Sequence, residues 1–174
     1  MRWILRTLIA LVSLVGLVAL VGWLLPVAHV ASRTEEFSQP PKAVYDVVAD
    51  VANYAQWFEG VSRIEMLEAP FDSAQGTSPG RIRFREHMST GPVVMEVDEA
   101  IPPSRFVTRI ADPDQPFGGT WTFEIAPAGA GSRLTITERG EIYNPIFRFM
   151  ARFIFGYTAT MEVYLRSLKK KFGE

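Results

Sequence analysis

Glu86 and Glu138 are the two side chains with the most chemistry to offer in this 174-residue chain. Each sits among apolar residues at alternate positions: Ile82, Phe84, Glu86 and Met88 share one face of an extended segment, and Leu134, Ile136, Glu138 and Ile142 share one face of another. A carboxyl that projects into an apolar cavity is desolvated, its pKa rises, and it becomes competent as a general acid near neutral pH. Alternation often breaks at strand ends, where the same two residues are exposed or paired with an arginine such as Arg109, and this is the commoner fate. Tyr157 and Tyr164 offer hydroxyls, although a half-buried tyrosine beside a polar rim is commoner than a catalytic one. His87 shares a face with Arg81, Arg83 and Arg85 and reads as solvated.

Other chemistries find little support. The absence of cysteine rules out a disulfide framework, a thiolate metal site and a thiolate nucleophile. Two histidines, His29 and His87, are too few and too far apart for a zinc site, and neither a metal nor a cofactor is expected. No nucleophile elbow, phosphate-cradling glycine loop or histidine-containing triad is present, and Gly118–Gly119 and Gly129–Ala130–Gly131 read as turns between strands. A formal net charge of -1 leaves no nucleic-acid footprint.

The elements that must position these side chains follow from periodicity. A first strand is expected over 27–37, then a short helix opened by Pro40 and Pro41 with Val44, Val47, Val48 and Val51 at helical spacing, then a helical turn over 53–58 closed by Gly60. Turn clusters at 70–80, 89–92, 102–104, 112–119 and 127–132 separate candidate strands at 61–68, 81–88, 93–101, 105–111, 120–125 and 133–142. These six strands with short connections make an antiparallel meander, the first strand adds a seventh, and the solvent faces are basic or Thr-rich. Residues 144–172 then read as one long amphipathic helix. Asn144 is its N-cap, Pro145 its first position and Gly173 its end, and Ile146, Met150, Phe153, Tyr157, Met161, Tyr164, Leu168 and Phe172 lie on one face.

The N-terminus is a separate unit. Thr7 to Ala28 carries no charge, and 22 residues at about 1.5 Å each span about 33 Å, enough for a hydrocarbon core of about 30 Å. Trp3 and Trp23 sit near its ends, where amphipathic rings favour the headgroup level. The apolar run exceeds that of a signal peptide and is followed by no clean small-x-small site, so an uncleaved single-pass anchor is expected. Arg2 and Arg6 precede the span, which places the N-terminus in the cytoplasm and the domain outside.

The order of elements resembles the START-like superfamily, also called SRPBCC or Bet v 1-like helix-grip, and within it the polyketide cyclase/dehydrase branch. The residues that carry this are Pro41, Val44, Tyr45, Val48, Asp50, Tyr54, Trp57 and Val61, followed by Pro102–Pro103–Ser104–Arg105–Phe106 and Asn144–Pro145–Ile146–Phe147. The resemblance covers about residues 27–172, with the anchor, residues 1–28, outside it and the helix-grip domain over 29–174, and it implies an α+β fold in which the seven-stranded sheet curves around the C-terminal helix. It also implies a cavity that takes hydrophobic ligands, and no shared catalytic constellation comes with it. Phe84, Phe106, Trp121, Phe123, Phe153, Tyr157 and Met161 are the expected lining, centred midway along the helix. Three functions are open: binding of a hydrophobic small molecule or lipid without chemistry; cyclase, dehydrase or hydrolase action on an aromatic or polyketide-like substrate with Glu86, Glu138 and tyrosines as acid/base candidates; or a partner-binding module whose cavity is vestigial. Besides the two tryptophans, Arg148, Arg152 and Phe155 on the outer helix face are expected to meet the bilayer.

Overall fold

The structure, a computed structural model, describes residues 2–68 and 82–174. The expected turn at 70–80 and Arg81 lie outside the described residues.

Helix α1 (Arg2–Leu24) carries no charged side chain beyond Arg6, and apart from Gly22 its side chains meet little of the protein. Its 23 residues make it long enough to cross a membrane at about 1.5 Å per residue. After the Pro26 break comes β1 (Ala28–Phe37), then α2 (Pro41–Ala49), where proline at the first position costs no hydrogen bond and Val44, Tyr45 and Val48 turn inward. A 3₁₀ turn (Val51–Gln56) buries Val51 and Tyr54.

The remaining strands are β2 (Val61–Glu68), β3 (Arg83–Met88), β4 (Gly91–Ile101), β5 (Arg105–Ile110), β6 (Phe117–Ala128) and β7 (Gly131–Ile142). They form one antiparallel sheet in the order β1-β7-β6-β5-β4-β3-β2, so the first strand returns beside the last. Register shifts in β2–β3 and in β4–β5 between Val97 and Glu99 bend the sheet. Its inner face carries Phe84, Phe106, Phe123, Leu134 and Ile136, all nearly inaccessible, as period-two alternation requires. The outer face is not simply basic. Arg83 and Arg109 converge on Glu96, Arg109 also holds Asp98 at 2.8 Å, and Arg105 bridges Glu99 and Glu124. Arg109 is thus committed to the outer face, not to Glu86 or Glu138.

The C-terminal segment departs from a single helix. It is divided into α3 (Pro145–Met150), a π-helical turn (Ala151–Phe155) and α4 (Ala159–Phe172), with the break at Gly156. Gly156 has φ +76° and ψ 161°, a backbone conformation that side-chain-bearing residues avoid. The helical wheel therefore loses its continuity. Met161, Tyr164 and Leu168 in α4 are buried on the sheet, whereas Ile146 and Phe153, drawn on the same face, are exposed.

Asn144 caps α3 as expected: its Oδ1 accepts from the Ile146 and Phe147 amides at 2.9 and 3.2 Å. The N144A variant should lose about 1 kcal/mol. This would be read as a thermal midpoint lower by about 2–4 °C.

Candidate functional site

Between the inner face of the sheet and α4 lies a cavity of about 270 Å³. That is near the lower end of the roughly 300–1,000 Å³ typical of small-molecule sites. Strand alternation aims Phe84 and Glu86 from β3, Trp121 and Phe123 from β6, and Glu138 from β7 into it, while Thr160 and Tyr164 of α4 form the roof.

Five of the sequence-derived candidates are therefore brought together: Phe84, Glu86, Trp121, Phe123 and Glu138. Four are placed elsewhere. Phe106 lies one layer behind, its ring 6.0 Å from Phe123 and 6.4 Å from Tyr45. Met161 is fully buried in the core below the roof. Tyr157 stacks on His29 with ring centroids 4.1 Å apart. Phe153 is 58% exposed, because the break at Gly156 turns it away from the sheet, and among the aromatic rings of the described residues it meets only Phe149. The roof consequently sits one to two turns further along the chain than the helical wheel implied.

Tyr54 and Phe58, in and just after the 3₁₀ turn, also line the cavity. Tyr54 belongs to the residues that carry the family resemblance, and that was the available signal for it. Tyr164 is the hub of the aromatic cluster, with its ring 5.0 Å from Phe58, 5.1 Å from Trp57 and 5.3 Å from Phe123. Its hydroxyl donates to that of Tyr54 at 3.4 Å, and Tyr54 donates in turn to the Val48 carbonyl at 2.5 Å. Burial pushes both phenols above their ordinary range.

The two carboxyls have different surroundings. Glu86 is buried, has no hydrogen bond or ion pair among the described residues, and desolvation pushes its pKa up to about 7. Glu138 is also raised by desolvation, but His29 and the Trp121 side chain, both hydrogen-bonded to it, oppose the rise. The His29 Nε2 lies 3.3 Å from Glu138 Oε1. Among the described residues neither carboxyl pairs with an arginine. The cavity wall contains no lysine, arginine or histidine among the described residues, so its charge is purely acidic. No group of described residues has the geometry of a metal site.

The expected bilayer contacts are also distributed unevenly. Trp3, Trp23 and Phe155 are 81%, 67% and 65% exposed, and Arg152 is exposed as well. Arg148 is instead 6% exposed: its Nη1 donates to the Leu25 carbonyl at 2.8 Å, where it caps the end of α1.

A curved antiparallel sheet closed over one helix, with a ligand-sized cavity between them, defines a helix-grip domain. The chain belongs to the family described as polyketide cyclase / dehydrase and lipid transport, whose pattern matches residues 28–173. No curated protein matches it in sequence. Among solved structures it is similar to a START superfamily protein from Mycobacterium smegmatis, at 18% identity and TM-score 0.62, over 82% of this chain and 96% of that one. It is also similar to the Zhui aromatase/cyclase from Streptomyces sp. R1128, at 14% identity and TM-score 0.62, over 83% and 93%. A third is the di-domain ARO/CYC protein StfQ of the steffimycin pathway, at 12% identity and TM-score 0.64, over 85% of this chain and 53% of that one. At these identities the likeness is one of fold.

Proposed function

We propose that the chain takes up a hydrophobic small molecule in the cavity beneath α4 and that Glu86 exchanges a proton with it, the chemistry of a cyclase or dehydrase. The observation that carries this reading is Glu86 itself. It is a buried carboxyl with no partner among the described residues, and its pKa of about 7 lets acid and base forms coexist near neutral pH. Two of the structures of similar fold are described as aromatase/cyclases, which supports an aromatic or polyketide-like substrate. Glu138, held by His29 and Trp121, would accept a hydrogen bond from the same molecule.

The second reading is carriage of a lipid or other hydrophobic molecule without chemistry. It is favoured by the absence of a relay: the Tyr54 and Tyr164 hydroxyls are spent on each other and on the Val48 carbonyl, and no titratable group among the described residues hydrogen-bonds Glu86. In either case α1 serves as a retained single-pass anchor. Packing of Gly22 on Pro145 supports retention, since cleavage would uncover both Pro145 and Arg148. Arg2 and Arg6 before the span support a cytoplasmic N-terminus and an extracytoplasmic domain.

The full chain in detergent micelles, mixed with a β-hydroxy aryl ketone, separates the readings. Exchange of the proton α to the carbonyl in deuterated buffer, followed by NMR, and enone formation, followed by absorbance, are both expected. The E86Q variant should slow them by at least about 100-fold, the lower end for loss of a general acid or base. Saturable binding of the ketone with no exchange in either protein would establish carriage instead.

A further inference from the structure

We infer that residues 145–155 form an in-plane membrane-docking element, seated in the same bilayer as α1 and fixing the domain against its surface. The segment reads Pro-Ile-Phe-Arg-Phe-Met-Ala-Arg-Phe-Ile-Phe, with no acidic side chain. Its large apolar groups turn outward: Phe147 is 49% exposed, Phe153 and Ile154 58% each, and Phe155 65%. For a helix–π run lying on a folded domain this is inverted burial, and the sequence around it shows why. Gly156 diverts the chain before α4, so the apolar triplet Phe153, Ile154 and Phe155 never reaches the sheet.

Three observations commit this face to a lipid surface. The first is continuity with α1, whose exposed face beyond Arg6 carries no charged side chain. Pro145 packs so closely on α1 that a Cβ at Gly22 would overlap the Pro145 carbonyl, and Arg148 ties the segment to the Leu25 carbonyl at 2.8 Å. A bilayer that receives α1 as far as Trp23 must therefore meet the neighbouring aromatics at the depth of its interface. The second is charge. Arg152 is exposed beside the apolar triplet, and an in-plane helix buried about 5–10 Å places such a cation at lipid phosphate. The third is rigidity. With Arg148 consumed in capping α1, the segment cannot swing independently of the span, so the contact needs no separate ordering event.

The docking also orients the cavity. Its wall includes Phe117, Gly118 and Gly119, which pair with Ile142, Glu141 and Gly140 just before α3, and its roof includes Thr160 just after the break. That end of the cavity faces the bilayer. Exchange of a hydrophobic ligand directly with the membrane rests on the cavity reading above, whereas docking does not.

The chain has no native cysteine, so I154C provides a unique thiol for an environment-sensitive fluorophore, with K42C on the exposed surface of α2 as the comparison. The labelled full-length proteins are reconstituted into phosphatidylcholine/phosphatidylglycerol vesicles with and without doxyl-labelled lipid. Blue-shifted emission at 154 that doxyl lipid lowers at least about twofold, with K42C unaffected, is the expected result. Water-like emission at 154 overturns docking. Blue-shifted emission insensitive to doxyl lipid also overturns it, since a protein partner or second copy then covers the face. Neither outcome depends on whether the cavity binds the aryl ketone, so the two proposals fail separately.

Discussion

The Glu86→Gln variant is expected to be more stable than the wild-type chain at pH 8 by up to about 3 kcal/mol, and to show almost no difference at pH 4. In the unfolded chain Glu86 titrates near the ordinary 4.5, and in the folded chain near 7. Between those values the native state holds a proton that the unfolded state has released, so wild-type stability falls as pH rises through this window and is level above it. The interval from 4.5 to about 7, at about 1.4 kcal/mol per pH unit, gives the figure of about 3 kcal/mol. Glutamine keeps the shape of the protonated carboxyl and cannot ionise. Thermal midpoints in micelles should therefore separate by roughly 6–12 °C at pH 8, at about 2–4 °C per kcal/mol for a domain of this size. Equal midpoints for the two proteins at pH 8 would mean that water solvates Glu86, and would remove the basis for proton exchange with a ligand.

A variant that gains stability while losing proton exchange is the behaviour expected of a functional carboxyl. An ionisable group costing several kcal/mol in an apolar cavity is not needed for folding, since a neutral amide fills the same space. The same reasoning separates Glu86 from Glu96, which is as deeply buried but meets Arg83 and Arg109. Burial alone does not mark the site. Burial without a counter-charge does.

How much of this was legible in the sequence depends on the range of the interaction concerned. Period-two alternation placed Glu86 and Glu138 on the inner face, because side-chain direction in a strand is a local property. What surrounds each carboxyl is not local. The His29 that holds Glu138 is 109 residues away and arrives through the β1–β7 register, which pairs Ala31 with Glu138 and Gly140 with His29. Nothing near either residue announces that pairing. The helix over 144–172 failed for a complementary reason. Its wheel is periodic throughout, and one glycine with φ +76° is enough to divide it, which moves the cavity roof from Phe153 to Thr160 and Tyr164. Arg148 was drawn toward lipid because the wheel contained no partner for it; the carbonyl it caps belongs to the end of α1, 123 residues earlier.

Gly119→Ala is expected to be the most damaging single methyl addition near the site, with a loss of about 4 kcal/mol drawn from roughly 1–3 each for backbone strain and overpacking. Gly119 has φ +130°, open to glycine and costly for any other residue. A Cβ there would overlap the Arg139 carbonyl and lie 2.8 Å from the Gly140 Cα, both backbone atoms of β7 that cannot turn aside. Gly119 and Gly140 face each other in register, two positions from the Trp121–Glu138 pair, so relief of the clash must shift β6 against β7 where both cavity residues are held. Gly129→Ala is the control. It also lies at positive φ, +56°, but has no atom within 4 Å of the new methyl, so only the left-handed backbone penalty of about 1–2 kcal/mol applies. Thermal midpoints of the two variants should differ by roughly 5 °C or more, at about 2–4 °C per kcal/mol. Binding of the aryl ketone should weaken in the Gly119 variant alone. Equal midpoints for the two would show that strand β7 yields at Gly140 without cost, and that the paired glycines are not what sets the cavity wall.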